Sequence, residues 1–473
     1  VGAESWRSIL EAIPIEQDMR TMKCLDKAVL CRERGKSVAL LSLGCAKNLV
    51  DSEVMIGYLQ QAGYRFVRDP EQADAYVVNT CGFIRPAKEE AEEALQNAVR
   101  LKRRSPERVL VVTGCYVERY RNSLRERYPE VDAWLGVNAF DKIVPAIEKR
   151  PFRAAARTFL CSHATPRVLT TPASWAYVKI SEGCSHRCSF CAIPLIKGPY
   201  RSRSISSIVK EAERLASRGV RELNLISQDS TYFGRDRGMA DGLVRLLRRL
   251  HDVPKIRWIR VLYGYPNEVS EALLEIMKEK KICPYLDLPF QHCHPRVLKL
   301  MKRPLDRARA LALLEWIRNR VPNVAIRTTL IVGFPGEGRR EFAELKDFVR
   351  EAQIDHLGVF PYSCEEETAA FRLGNPVPES EKERRRKEIM TLQAGISKTL
   401  LRKYVGTTME VLIEGPGRKG DRTILGRTRF QAPEVDGQVK IRADGTSEIY
   451  FFPMAKVEIT ASGVYDLQGK LVR

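Results

Sequence analysis

The chain has 473 residues, 44% hydrophobic and 29% charged, with a formal net charge of +20. That length holds two or three domains able to bury their own cores, and no apolar run approaches the roughly 18 residues needed to cross a bilayer. Twelve cysteines in a chain expected in the cytosol point to metal or redox chemistry rather than disulfides, and the basic balance suits a polyanionic neighbourhood as well as simple solubility.

Residues 1–36 mix charges throughout and lack the apolar core of a signal peptide. Trp6, Ile9, Leu10 and Ile13 fall at helical spacing, and the segment is expected to be a disordered extension. From 37 to 150 one phrase recurs: SVALLSLGC ends at Cys45, ADAYVVNTC at Cys81 and RVLVVTGC at Cys115. Each is an apolar run of strand length, and each precedes a helical pattern. Continuous strands alternating with amphipathic helices predict an open parallel sheet, an α/β domain covered on both faces. Ligands of such sheets sit beyond the carboxyl ends of the strands, where the three cysteines fall. One cysteine there reads as a small buried hydrophobe. Three in register, each before a helix start that favours thiolates, read as an iron–sulfur site. Spacing alone does not separate iron–sulfur from zinc.

A linker, 151–172, carries Cys161 and His163. Alternation then resumes over 173–400 with AYVKIS, ELNLIS, IRWIRVLY, YLDLPFQ, VAIRTTLIVGF and HLGVFPYS as strands. Six βα units predict a partial (β/α)6 barrel with its chemistry at the carboxyl-terminal mouth. CSHRCSFC, Cys184 to Cys191, lies directly after the first of these strands. Three thiolates on a cubane of four irons leave one iron open to a substrate. The alternative is structural zinc with His186 as fourth ligand, but His186 is expected as a solvated loop side chain. Cys283, His292, Cys293 and His294 lie too close together and unpaired to read as a zinc site. After a charged connecting helix, short strands with Gly and Pro punctuation over 401–473 predict a small antiparallel β-barrel. That segment holds 12 Lys or Arg and 9 Asp or Glu, a local excess of 12 − 9 = +3, without a strong phosphate track.

The spacing of Cys184, Cys188 and Cys191, with Phe190 before the last, resembles the signature of the radical S-adenosylmethionine superfamily. A three-cysteine parallel domain ahead of such a barrel resembles its methylthiotransferase family. The resemblance runs from residue 37 onward, on SLGCAKNLVDSE, NTCGFI, VTGC, SEGCSHRCSFCAIP, LPFQH and IVGFPGE. GCAKNLVDSE and, in the tail, GRTRFQAPEVDGQV are closer to the branch acting on an aspartate of a small-subunit ribosomal protein than to the transfer-RNA branch. Ala46 stands where that branch commonly has proline, and LPFQH replaces a commoner leucine version.

The resemblance implies two 4Fe-4S clusters, one held by Cys45, Cys81 and Cys115 and one by Cys184, Cys188 and Cys191. It implies S-adenosyl-L-methionine as cofactor, with Phe190, Gln291, Arg327 and Gly333 as candidate contacts. In the implied reaction the barrel cluster reduces S-adenosylmethionine to a 5′-deoxyadenosyl radical, which takes hydrogen from the aspartate β-carbon. The other cluster delivers sulfur, and a second S-adenosylmethionine the methyl group. Acid–base roles for Glu222 and Asp229 are then unnecessary. Implied partners are the ribosomal protein, free or within the ribosome, and a low-potential donor of flavodoxin or ferredoxin type. The tail resembles a TRAM domain, which would contact nucleic acid or hold the protein substrate; no membrane partner is implied. Three alternatives stay open: methylthiolation of a modified adenosine in transfer RNA, a non-catalytic zinc protein that binds RNA or the ribosome, and a radical enzyme whose second cluster is purely redox.

Overall fold

A computed structural model of the protein describes residues 35–417, 423–442 and 453–472. The expected disorder of the extension and the helical spacing from Trp6 to Ile13 lie outside the described residues. The chain divides into two compact units, one of residues 1–171 with 193–199 and one of residues 172–192 with 200–473.

The first unit is built on β1 (Ser37–Ser42), β2 (Arg65–Phe66), β3 (Ala75–Thr80), β4 (Val109–Gly114) and β5 (Ala133–Leu135), in the order β2-β1-β3-β4-β5. Every pairing is parallel. All six residues of β3 are buried, which explains the unbroken apolar run from Ala75 to Val78: both faces are covered, so neither needs polar alternation. The covering helices are α1 (Ala46–Gln61), α2 (Arg85–Arg104), α3 (Cys115–Arg127), α4 (Ile143–Ile147) and α5 (Ile193–Lys197). Leu95 and Val99 of α2 and Val117 of α3 pack on Leu110, Val112 and Trp134. Proline at its start and Lys102, Arg103 and Arg104 in its last turn delimit α2, in line with the orphan donors and dipole of its ends. The linker belongs to this unit up to Thr171. Glu53 of α1, fully buried, accepts from Arg167 Nε at 2.9 Å and from the Thr170 backbone N–H at 2.7 Å, which straps the linker along the helix.

The second unit continues with β6 (Trp175–Lys179), the ribbon β7 (Ser181–Glu182) and β8 (Arg201–Ser202), α6 (Ile205–Ser217), β9 (Glu222–Ile226) and α7 (Gly242–His251). Then come β10 (Trp258–Val261), α8 (Glu271–Ile276), β11 (Ile282–Asp287), α9 (Pro295–Met301), α10 (Arg307–Arg320) and β12 (Ala325–Val332). Next are α11 (Arg339–Ala352), β13 (His356–Pro361) and α12 (Glu379–Leu401). Six strands pair in parallel in the order β13-β12-β11-β10-β9-β6, leaving β6 and β13 as edges. Register sets Tyr177 beside Asn224 and Asn224 beside Arg260, and Asp287 beside Arg327. These share one face, while Val178, Leu223, Leu225, Ile259 and Ile326 lie on the other. The polar face is the inner one.

Finally β14 (Thr408–Pro416), β15 (Thr423–Arg427), β16 (Val439–Arg442), β17 (Met454–Ser462) and β18 (Leu467–Leu471) close a small barrel over Val411, Ile424, Val439, Ile441, Val457 and Ile459. One pairing, β16 with β18, is parallel, a departure from the expected antiparallel barrel. An odd number of strands cannot alternate direction all the way round a closed ring, so one like-directed pair is obligatory. The barrel docks where the parallel strands begin. Ser174 donates to the Ile413 carbonyl, Arg257 pairs with Glu410, and Arg429 donates to the Ile282 carbonyl. Among the described residues no helix is long and apolar enough to cross a membrane.

Candidate functional site

In the first unit the three neighbouring strands β1, β3 and β4 end next to one another, and each is followed within three residues by its cysteine. Cys45 caps the start of α1, Cys115 opens α3, and Cys81 follows β3 directly. Glycines keep these ends close. A Cβ at Gly44 would stand 2.7 Å from the Cys81 Cβ, and one at Gly82 would stand 2.6 Å from the Tyr116 Cα. Gly114, at φ +102°, would meet the Thr80 backbone N at 2.8 Å. Below this edge a buried polar net fixes the strand ends. Asn48 donates to the Leu43 carbonyl, Asn79 to the Asn48 carbonyl and to Ser52, and Thr80 to the Thr113 carbonyl. Burial pushes the Cys81 thiol well up, and Cys115 and Cys45 push it further. Protein alone therefore disfavours an ionised Cys81, and a bound cationic iron core is what would hold it as a thiolate. Glycine cradles and three cysteines outside any disulfide suit such a core.

In the second unit Cys184, Cys188 and Cys191 follow β6 and β7, at the carboxyl-terminal end of the parallel sheet, opposite the docked small barrel. All three lie outside any disulfide. Burial pushes the Cys184 thiol up to about 11, partly offset by the His186 backbone N–H. Among the described residues no three His, Cys, Asp or Glu side chains converge as a single metal ion requires. Thiols that grip separate corners of a cage stand farther apart than the ligands of one zinc ion.

The histidine between these cysteines departs from expectation. His186 is not a solvated loop side chain: its ring stacks on Tyr265 with centroids 3.9 Å apart and planes 10° from parallel. Its Nε2 donates to Oδ2 of Asp229 at 2.6 Å, so it is committed away from the thiols. Asp229 is buried and also accepts from the Thr231 backbone at 2.9 Å. Asp229 thus orients the loop.

The candidate S-adenosylmethionine contacts separate. Gln291, at φ +72°, follows β11 and is tied to β12 by backbone bonds to Thr329 and Ile331. Its Oε1 is buried without a partner, an acceptor available to a ligand. Gly333, at φ +71°, ends β12, and its N–H donates to Oε1 of Glu337 at 3.0 Å. Glu337 is buried and also holds Arg385 at 2.6 Å and His292 at 3.2 Å. That brace on the GFPGE turn has no local sequence signature, because its partners come from α12 and from the segment after β11. Phe190 packs edge-on to Phe334, ring centroids 6.5 Å apart. Arg327 does not stand at a strand end: β12 continues to Val332, and its guanidinium lies 4.0 Å from Asp436 in the β15–β16 loop. The pairing ties it to the small barrel, since a buried guanidinium needs a counter-charge more than a free ligand would.

Glu222 is fully buried between Arg260, at 2.9 Å, and Arg427, at 2.6 Å, and has no acid–base task. Of the dismissed zinc residues, Cys283 and Cys293 are buried and His294 caps α9. Cys161 is buried within the first unit.

Comparison with known proteins agrees with this division. Residues 37–136 match an uncharacterised protein family, UPF0004; residues 178–349 match the Radical SAM superfamily, and residues 405–472 match the TRAM domain. The ribosomal protein uS12 methylthiotransferase RimO of Syntrophotalea carbinolica is 44% identical over 444 residues, 92% of this chain and 97% of the relative. The protein of the same name from Aquifex aeolicus is 44% identical over 437 residues, 92% and 96% of the two chains. Among solved structures, the radical S-adenosylmethionine methyltransferase TsrM of Kitasatospora setae is similar in fold. Its TM-score is 0.51 at 15% identity, over 69% of this chain and 73% of that one.

Proposed function

The chain belongs to the radical S-adenosylmethionine family of ribosomal protein uS12 methylthiotransferases, and from that membership we propose how its own residues divide the work. It is an enzyme that methylthiolates a small-subunit ribosomal protein. In the finer reading, Cys184, Cys188 and Cys191 hold one 4Fe-4S cluster, Cys45, Cys81 and Cys115 hold a second, and the target is an aspartate β-carbon. When bound, the first cluster supplies the electron that cleaves S-adenosylmethionine, and the second supplies sulfur. The hydrogen removed is not usefully acidic beside an ionised carboxylate, so no base of the protein substitutes for a radical. The chain's share is to position and to exclude water. Gln291 offers a buried acceptor to S-adenosylmethionine. Glu337 fixes the glycine turn over which that molecule would lie.

The observation that carries the reading is the meeting of three strand-end cysteines on one glycine-lined sheet edge, in a chain that also bears the C-x3-C-x2-C loop. Anaerobic protein is expected to hold about eight irons per chain. On incubation with uS12, S-adenosylmethionine and a low-potential reductant of flavodoxin or ferredoxin class, mass spectrometry should find one methylthio group on an aspartate. A modified transfer-RNA nucleoside with unmodified uS12 would instead establish the transfer-RNA reading. Zinc in place of iron would abolish both.

A further inference from the structure

Between the second thiol of the barrel loop and the body of the second unit, one cation occupies an unusual place. Arg303 follows α9, and its Nη1 lies 3.7 Å from Cys188 Sγ while its Nη2 donates to the Pro289 carbonyl. Its guanidinium carbon sits 4.0 Å over the ring centroid of Tyr265. His186 stacks on the same ring at 3.9 Å. Two planar groups cannot share one ring face at those heights, so they take opposite faces, and His186, Tyr265 and Arg303 form three layers. The stack closes on itself. Tyr265 N–H donates to Thr231 Oγ1 at 3.0 Å, Thr231 donates to Asp229, and Asp229 holds His186. Two residues beyond His186 the circuit returns to Arg303 through Cys188.

We propose that Arg303 is the cation that sets the reduction potential of the barrel cluster, donating an N–H···S bond to Cys188 while the Tyr265 and His186 layers fix its guanidinium. The inference rests on reading Cys184, Cys188 and Cys191 as cluster ligands. One-electron reduction adds one negative charge to the irons and their thiolate sulfurs. A fixed positive charge bonded to one of those sulfurs favours the reduced form, as hydrogen bonds to sulfur and net charge do in iron–sulfur sites generally. Packing the guanidinium on an aromatic face prevents it from swinging to solvent. Arg303 thus makes the site easier to load from a one-electron donor of flavin or iron–sulfur class.

The test is a potentiometric titration of the holoenzyme with dithionite, followed by electron paramagnetic resonance. The barrel cluster is identified as the signal that S-adenosylmethionine perturbs. In Arg303→Met the cluster is expected to remain, with its reduced-to-oxidised ratio at a fixed potential lowered about tenfold, a shift of about 59 mV for one electron. Arg303→Lys keeps the charge but not the planar fork and should show a smaller downward shift. Tyr265→Leu, which frees the guanidinium, should also lower the midpoint. A wild-type midpoint in Arg303→Met with the cluster present overturns the inference and leaves the cluster reading intact. If Arg303→Met loses its cluster, a wild-type midpoint in Arg303→Lys and in Tyr265→Leu overturns it. A wild-type enzyme with no S-adenosylmethionine-sensitive signal removes the cluster reading itself, and the inference with it.

Discussion

Glu222 meets two guanidinium groups in a place water does not reach. Burial alone pushes its carboxyl up; Arg427 and Arg260 overcome that, and it titrates below its ordinary range. With the folded value depressed, the pairing stabilises fully above the unfolded carboxylate range and is lost as pH falls through the folded value. Glu222→Gln removes the carboxylate of buried Arg260 and leaves Arg427 with Glu414 alone, so a loss of about 3–5 kcal/mol is expected at neutral pH. Urea unfolding followed by tryptophan fluorescence measures it, and the variant's acid-side stability should fall less steeply than the wild type's. At the sheet edge, alanine at Gly114 would sit in a left-handed region against Thr80, at a cost of about 1–3 kcal/mol. Iron content of Gly114→Ala should drop through the Cys45, Cys81 and Cys115 site, while the S-adenosylmethionine-sensitive signal persists. At this scale the sequence is unequally informative. Cys45, Cys81 and Cys115 are legible because each ends an apolar run, so a local pattern places them. Arg303 is not, because Cys188 lies 115 residues away and no period joins the two. His186 misleads for the same reason: its neighbours in sequence are loop residues, its neighbours in space Tyr265 and Asp229.

Elements were the most legible level. All six strands expected between residues 176 and 363 are present, because their helix-facing side chains are apolar at every second position and their lengths suit one layer. Less legible is what a helix packs against. Gly57 lies inside α1, where alanine ordinarily adds about 1 kcal/mol of helix stability. Here a Cβ would stand 2.5 Å from the carbonyl carbon of Pro166 and 2.6 Å from Arg167 N, in the strapped linker. Gly57→Ala is therefore expected to lower the melting temperature rather than raise it, and to expose residues 166–171 to limited proteolysis. Glu53→Ala, which removes the carboxylate that Arg167 and Thr170 share, should give the same cleavage site. A thermally stabilised Gly57→Ala with an uncut linker would show that the strap yields without cost.

Across the second unit the small barrel acts as the floor of the parallel sheet. Its β15–β16 loop sends Asp436 to Tyr285, at 2.7 Å, and to Arg327; Glu434 meets Tyr177 at 2.8 Å, and Phe430 offers its carbonyl to His356. Burial works against the Asp436 charge, but His356 and Arg327 prevail and hold its carboxyl below the usual range. Asp436→Asn is expected to cost about 3–5 kcal/mol and to unfold both barrels together, seen as one lowered calorimetric transition. Two separate transitions would mean that they fold independently. Counting charges over 401–473 missed this, since a tally treats Asp436 as surface while the fold spends it inside. The floor also imposes an order of events during translation. Every strand of the parallel sheet leaves the peptidyl-transferase centre before Asp436, a counter-charge of Arg327, has been made. A nascent polypeptide halted before Arg427 carries all six thiols yet lacks the Arg427 and Asp436 that complete its buried charge pairs, so chaperones and proteases have an interval in which to discard it.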